Sequence, residues 1–292
     1  MTVAQTISPA QRRLGPLVLI VPAIALLFAF FVLPYFSIIV MSFRTASASA
    51  PYGDSYTLVH FTTALSDSYT MGILARTLGL GLLVTVITLI LGYPVAWHLA
   101  RTKSRWKGLL YTFVLSPLLV GLVVRTFGWM IILSKNGVAN QSLAWLGLTD
   151  SPLQLMNNNL GVTIALVHVF LPFIILPLLG NIQAINPELE SAARSLGASR
   201  TKTFFRVTLP LSMPGIQAGT ILVFVLSISA YVTPAMLGGA RAKTMSVLVV
   251  QYLVDNFRWP AGAALALILA FTAIVTVWLY FMLTRNMTRR LP

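Results

Sequence analysis

Six stretches of this sequence are apolar for too long to be ordinary buried helices. They run near 14–41, 71–100, 109–133, 159–182, 213–233 and 262–284. About 20 mostly apolar residues are enough for a helix to cross the hydrocarbon of a bilayer. Lipid offers no hydrogen-bond partner to the backbone, so a spanning segment of this kind must pair its own N–H and C=O groups as a helix. Barrel strands would alternate in polarity, whereas these runs are continuously apolar. Only 9% of the 292 residues are charged, against about 25% in a soluble domain. The expectation is an all-α membrane protein, with six transmembrane helices forming a single domain over 1–292 and a polar loop at 183–212.

The charges set the sidedness. A net charge of +14 would suggest nucleic acid in a soluble protein, but here the connections alternate. One side carries Arg12, Arg13, Arg101, Lys103, Arg105, Lys107, Arg194, Arg200, Lys202, Arg206, Arg285, Arg289 and Arg290. The other carries Arg44, Lys135, Arg241, Lys243 and Arg258, with Asp54, Asp67, Asp150 and Asp255. Cytoplasmic loops collect Lys and Arg. That rule puts both termini and the 183–212 loop in the cytoplasm, and it explains the charge without nucleic acid. A cleaved leader is disfavoured. Ala48-Ser49-Ala50 resembles a cleavage site, but the apolar run before it far exceeds the roughly 7–15 residues of a signal core. The chain has no Cys, which excludes disulfides and thiolate metal sites. His60, His98 and His168 are scattered and give no metal cluster.

One block interrupts the apolar pattern: ELESAARSLGASRTKTFFRVTLP, Glu188 to Pro210. Asn186-Pro187 before it reads as a helix cap followed by Pro at the first helical position. Glu188 and Glu190 fall in the first turn, where the helix dipole favours negative charge. Leu189, Ala192, Ala193 and Leu196 then form one apolar stripe. Gly197 suits a left-handed helix end, and Ser199 suits the cap of a second short helix carrying Arg200, Lys202, Phe204, Phe205 and Arg206. Pro210 and Pro214 are expected to separate this unit from the fifth span. On physics alone the unit is also compatible with an amphipathic connector lying on lipid headgroups.

The block is similar to the cytoplasmic Glu-Ala-Ala loop of ABC-importer permeases. In that loop the triplet is followed by three residues, Gly, nine residues and an aliphatic-x-Leu-Pro. Ala192-Ala193, Gly197 and Val207-Thr208-Leu209-Pro210 fall in that register. Ser191 stands where the motif has Glu, and Glu190 comes one residue earlier, about 100° away around a helix. Further stretches extend the likeness: FFVLPYFSIIVMSF, LGYPVAWHLA, RTFGWMIILSKNGVANQSLAWLGL, FLPFIILPL and WPAGAALA. They resemble the first-permease type of spermidine/putrescine-class importers. Two places depart from it: Pro117-Leu118-Leu119-Val120, where a Pro-aromatic-Trp-Thr is usual, and Arg76, where an Asn-Thr is common.

The resemblance implies a type I ABC importer permease fold in the bacterial inner membrane. It also implies an ABC ATPase dimer, a second homologous permease subunit and a periplasmic substrate-binding protein as partners, besides membrane lipid. ATPase coupling is thereby assigned to Glu190, Ala192, Ala193, Arg194, Gly197, Ala198, Arg200, Leu209 and Pro210. The sequence has no G-x-x-x-x-G-K-[ST] phosphate loop, so the expectation is a transport subunit without cofactor or metal of its own, with ATP and Mg held by the partner ATPase.

Charges and aromatics inside the spans are candidates for the substrate path. Arg125 lies within the third span, and an intramembrane charge either faces a cavity or snorkels to the interface. Trp129 and Tyr231 offer ring faces to a cation or mark an interface. His168 is mid-span, where it either bonds a neighbour or contacts solute. Arg76 sits nearer an edge and reads as snorkelling. All six carboxylates lie in loops, so a polyamine would meet no intramembrane counter-charge from this chain. Arg125 suits a solute bearing a carboxylate or phosphonate, so the small polar solute is left as a polyamine, an amino-acid-derived or opine-like compound, or a phosphonate. A secondary transporter or channel is the alternative, but ion-coupled carriers usually place carboxylates in their spans. A membrane-embedded enzyme lacks its H-E-x-x-H or G-x-S-x-G signature here.

Overall fold

The computed structural model describes residues 20–47 and 50–288. Arg12, Arg13, Arg289, Arg290, the first residues of the 14–41 run and Ala48-Ser49 of the cleavage-like triplet lie outside the described residues.

The helices are α1 Ile20–Ser42, α2 Val59–Ser66, α3 Ser68–Arg101, α4 Lys107–Leu119, α5 Leu122–Leu133, α6 Val138–Trp145 and α7 Asn159–Ala184. There follow α8 Pro187–Ser195, α9 Arg200–Leu211, α10 Met213–Ser229, α11 Val232–Leu237, α12 Met245–Asp255 and α13 Trp259–Thr288. Four of these are long and apolar enough to cross a membrane, namely α1, α3, α7 and α13 (through Arg285). Two bent pairs raise the number to six if each pair is one span.

The run at 109–133 is therefore not one straight helix. It breaks at Val120-Gly121, and Lys107–Leu119 makes an angle of 98° with the segment Leu122–Trp145 beyond the break. Residues on both sides of the break are apolar, so hydropathy passes over it. The fifth run also differs from expectation. Its helix ends at Ser229, and α11 starts afresh beyond Ala230-Tyr231. Before it, α9 continues through Pro210 and stops at Ser212, with a bend of 63° to α10. A widened turn at Phe204–Thr208, where the Leu209 N–H donates to the Phe204 carbonyl five residues back, precedes Pro210. It accommodates a residue that has no N–H to give. Pro94 and Pro172 with Pro177 likewise sit inside α3 and α7 without ending them.

The core is a three-helix pack of α3, α7 and α10, centred on Ile174, Ile175, Leu178 and Ile182 of α7 with Val84, Leu99 and Val223 around them. Lipid tails are as apolar as Leu, so close van der Waals fit and interhelical hydrogen bonds hold such a pack, rather than water exclusion. Ile174 shows the fit. A Cβ added at Gly92 of α3 would stand 2.6 Å from it, and one at Gly219 of α10 2.9 Å. Hydrogen bonds stitch the helices: Tyr93 to Ser212 at 2.9 Å, Thr220 to Tyr280 at 2.8 Å, and the Met245 N–H onto the Thr77 hydroxyl at 2.8 Å. Each such bond contributes on the order of 0.6–2 kcal/mol in a membrane.

A second cluster, Ile73, Leu74, Met245, Leu248, Leu265 and Ile268, joins α3, α12 and α13. The α12 segment lies between the fifth and sixth apolar runs, where the sequence predicts no span. Asp67 caps α3, accepting from the Tyr69 and Thr70 N–H groups and the Thr70 hydroxyl. The Thr70 hydroxyl, followed by its N–H, holds this carboxyl below the usual carboxylate range.

Candidate coupling site

The 188–210 block folds as two short helices around a glycine. Asn186 caps α8 by accepting from the Glu188 N–H at 2.9 Å, and Pro187 opens the helix. Glu188 and Glu190 occupy its first turn and Arg194 its last, each at the end its charge suits. Gly197 has φ +84, a left-handed conformation that admits Gly at little cost. The Ser199 hydroxyl then accepts from the Lys202 N–H and starts α9. The stripe on α8 is uncovered: Leu189 is 47% and Leu196 89% exposed, with Ala192 exposed and Ala193 and Ala198 half-buried. Arg194 and Arg200 are exposed, while Leu209 and Pro210 are half-buried at the root of the block.

What fixes the block to the bundle is a cation at the edge of the second apolar run. Arg101, the last residue of α3, donates through Nη2 to Glu190 Oε1 at 2.8 Å and through Nη1 to the Ile185 carbonyl at 3.1 Å. The same Glu190 oxygen accepts from the Thr208 hydroxyl at 3.2 Å. One carboxylate thus ties α8 to both α3 and α9. Ion and acceptor side chains are only 18% and 15% exposed, so screening by water is modest, and hydrogen bonds to a charged group contribute about 1.5–3 kcal/mol. Ser191, one residue on, points elsewhere and donates to the Pro187 carbonyl of its own helix at 3.3 Å. The only sequence hint to Arg101 was a cation in the last turn of a long span.

Of the path candidates, Arg125, Trp129 and His168 lie together where α5 meets α7, and Tyr231 immediately precedes α11, whose Thr233 bonds α5. Trp129 donates its indole N–H to His168 Nδ1 at 3.2 Å, with ring centres 5.5 Å apart in an edge-to-face arrangement. An indole has only a donor, so Nδ1 is the acceptor of this bond. His168 is exposed between buried neighbours on α7. Arg125 lies one turn before Trp129, and its Nε and Nη1 are buried with no hydrogen-bond partner among the described residues. Thr126 beside it bonds Thr233 at 3.2 Å, two residues beyond the 42%-exposed Tyr231. Arg76 is apart from this group. It is exposed and bonds the Gly72 carbonyl of its own helix.

The family model described as "Binding-protein-dependent transport system inner membrane component" matches residues 12–289. The chain is 34% identical over 274 residues to the Spermidine/putrescine transport system permease protein PotB of Escherichia coli (strain K12), covering 93% of this chain and 98% of that one. It is 30% identical over 262 residues to the protein of the same name from Haemophilus influenzae, covering 89% and 91%. In fold it is similar to a chain of a bacterial ABC transporter involved in the import of the acidic polysaccharide alginate. The TM-score is 0.72 at 20% identity, over 96% of this chain and 97% of that chain. The fold is that of a type I ABC importer permease, and the chain belongs to the family of binding-protein-dependent transport system inner membrane components.

Proposed function

We propose that this permease moves a small cationic solute of the polyamine class across the inner membrane, driven by ATP hydrolysed on a separate ATPase dimer docked on α8 and α9. The observation that carries the coupling reading is the Glu190 clamp. It ties the short, capped helix α8 to both α3 and α9, as a lever must be held if force on it is to move the spans. Exposed Leu189 and Leu196 beside Arg194 and Arg200 supply an apolar and cationic docking face. On this reading the chain is a transport subunit and not an enzyme. The basic end with α8 faces the cytoplasm, each bent helix pair is one span, and the polypeptide crosses six times over a single domain, 1–292. A second homologous permease subunit and a periplasmic binding protein complete the importer. ATP and Mg stay on the ATPase.

The polyamine class is supported by the names of relatives that align along nearly the whole chain. Arg125 favours a second reading, a solute bearing a carboxylate or phosphonate, because two of its guanidinium nitrogens await acceptors. The test is affinity capture of the tagged chain from membranes, followed by reconstitution of the captured assembly in vesicles with its binding protein. We expect an ATP-binding subunit to co-purify and labelled spermidine or putrescine to enter only with ATP. Transport without any nucleotide-binding protein would reject the ABC reading. ATP-driven uptake of an anionic solute in place of polyamines would leave the coupling reading standing and reverse the substrate class.

A further inference from the structure

At the end of α3 remote from the coupling block, a cavity of about 380 Å³ opens between α2, α3, α12 and the start of α13. The volume is in the range of small-ligand sites, roughly 300–1,000 Å³. Its floor is packed core: Ala64 and Leu265 on the lining belong to the cluster that joins α3, α12 and α13. Its rim lies where two spans begin, α3 at Ser68 and α13 at Trp259. That rim carries one charge of each sign, Asp67 and Arg258, both exposed, with Tyr252 and His60 half-buried beside them. His60 is turned away, its Nε2 on the Arg44 carbonyl at 3.1 Å. Asp67 and Arg258 share the cavity without forming an ion pair with each other.

Each charge is held by its own surroundings. Asp67 is fixed as the cap of α3: Oδ1 accepts from the Tyr69 N–H, and Oδ2 from the Thr70 N–H and hydroxyl. A carboxylate has about four acceptor positions, so Oδ1 keeps one open toward the cavity's polar rim. Arg258 is fixed through its backbone, whose N–H donates to the Tyr252 carbonyl at 2.8 Å and whose carbonyl accepts from the Gly262 N–H at 2.9 Å. Its guanidinium has no partner among the described residues. Phe257 just before it stands at φ +52 with its ring 73% exposed. That left-handed backbone is uncommon for a bulky residue, and little packing of the ring offsets it. Strain of this kind collects at ligand clamps. A ligand that satisfies both walls carries a cation with N–H groups at one end and an oxyanion at the other, the oxyanion matching the guanidinium fork. We propose that this cavity binds a zwitterion, with a primary ammonium on Asp67 and an oxyanion on Arg258. A phosphatidylethanolamine headgroup and a soluble zwitterion share that chemistry. The apolar floor, at the start of two spans, favours the lipid. A bound headgroup would join the cap of α3 to the α12–α13 turn, whichever solute the permease carries.

Phosphatidylcholine has the same phosphate and a cation without N–H, and phosphatidylglycerol has the phosphate and no cation, so these lipids test the two walls separately. The tagged chain, captured from membranes with its partner subunits, is placed in nanodiscs of equal parts phosphatidylethanolamine, phosphatidylcholine and phosphatidylglycerol, and native mass spectrometry counts the lipids retained. Wild type is expected to keep phosphatidylethanolamine in preference to both others. Asn caps a helix as well as Asp does, so Asp67→Asn removes the charge and keeps the cap. Combined with Arg258→Gln it should cut the preference by roughly tenfold, the scale of losing a charge-assisted bond. Asp150→Asn with Arg241→Gln removes one charge of each sign from residues that do not line the cavity, and this pair should retain lipid as wild type does. Glycerophosphoethanolamine titrated into phosphatidylcholine discs, followed by phosphorus NMR, separates the sources. A phosphatidylethanolamine preference lost in the cavity variant assigns the site to lipid. Saturable glycerophosphoethanolamine binding lost in that variant, with no lipid preference, assigns it to a soluble zwitterion. Neither preference nor saturable binding in wild type overturns the site. So does a cavity variant that assembles and binds like wild type, or an equal loss in the control pair.

Discussion

A single carboxylate, Glu190, joins three helices, and it stands one residue away from the motif position. The motif places Glu where this chain has Ser191, and the offset to Glu190 turns the carboxylate about 100° around the helix. In the structure that turn is what points Glu190 at Arg101 and Thr208, while Ser191 bonds its own helix. The partner was not legible because Arg101 is 89 residues away, and no local pattern announces a contact of that range. The cap at Asn186 and the glycine at 197 were legible, because each is set by its immediate neighbours. We expect Glu190→Gln and Arg101→Gln each to cut ATP-driven uptake by roughly tenfold, equivalent to about 1.4 kcal/mol of lost coupling, with normal insertion. The swap Glu190→Arg with Arg101→Glu should recover part of the loss, because the charge pair is restored across the same gap. A double-mutant cycle on uptake checks this. Additive losses with no recovery in the swap would mean the two side chains act separately.

At the level of elements, what matters is the angle between α8 and α9, which Gly197 sets. A Cβ at this glycine would meet no atom within 4 Å, so replacement costs only backbone conformation. Left-handed backbone at a residue with a Cβ costs roughly 1–2 kcal/mol. Gly197→Ala should therefore give a slightly loosened loop and uptake within a few-fold of wild type. Gly197→Pro cannot reach φ +84, since its ring holds φ near −65°, and it also removes the N–H that donates to the Arg194 carbonyl. We expect it to abolish uptake while leaving the chain inserted and the ATPase bound but no longer stimulated by the loaded binding protein. Wild-type uptake in this variant would show the block to be a connector. The third apolar run shows what such reasoning misses. SPLLVGLVV is apolar on both sides of the break at Val120-Gly121, and in a membrane segment periodicity has no polar face to report a change of direction. The packing role of α12 was hidden for a related reason: a short apolar helix flanked by charges reads as a loop until Met245 and Leu248 are seen against α3 and α13.

Across the whole molecule, charge is sorted to the two ends while the middle keeps one conspicuous cation. Arg101 at the end of α3 meets Glu190 of the basic block, and Asp67 at the other end of α3 shares a cavity wall with Arg258 and His60. Arg125 stands one turn before Trp129 of the Trp129–His168 pair, with two buried nitrogens unpartnered among the described residues. A polyamine passing this point would be repelled. Two unit charges 4 Å apart interact by about 4 kcal/mol at the effective dielectric of a protein surface, so for a polyamine the offset would have to come from a partner permease, from ring faces or from water. Removing Arg125 then has a sign that reads out the charge of the cargo. For a polyamine, Arg125→Ala relieves repulsion, and we expect the KM of ATP-driven uptake to fall with insertion and assembly intact. For a carboxylate or phosphonate solute the same change removes an attractive partner, and KM should rise by roughly tenfold or more. Unchanged kinetics for every solute would place the guanidinium outside the path, at the interface its long stem can reach.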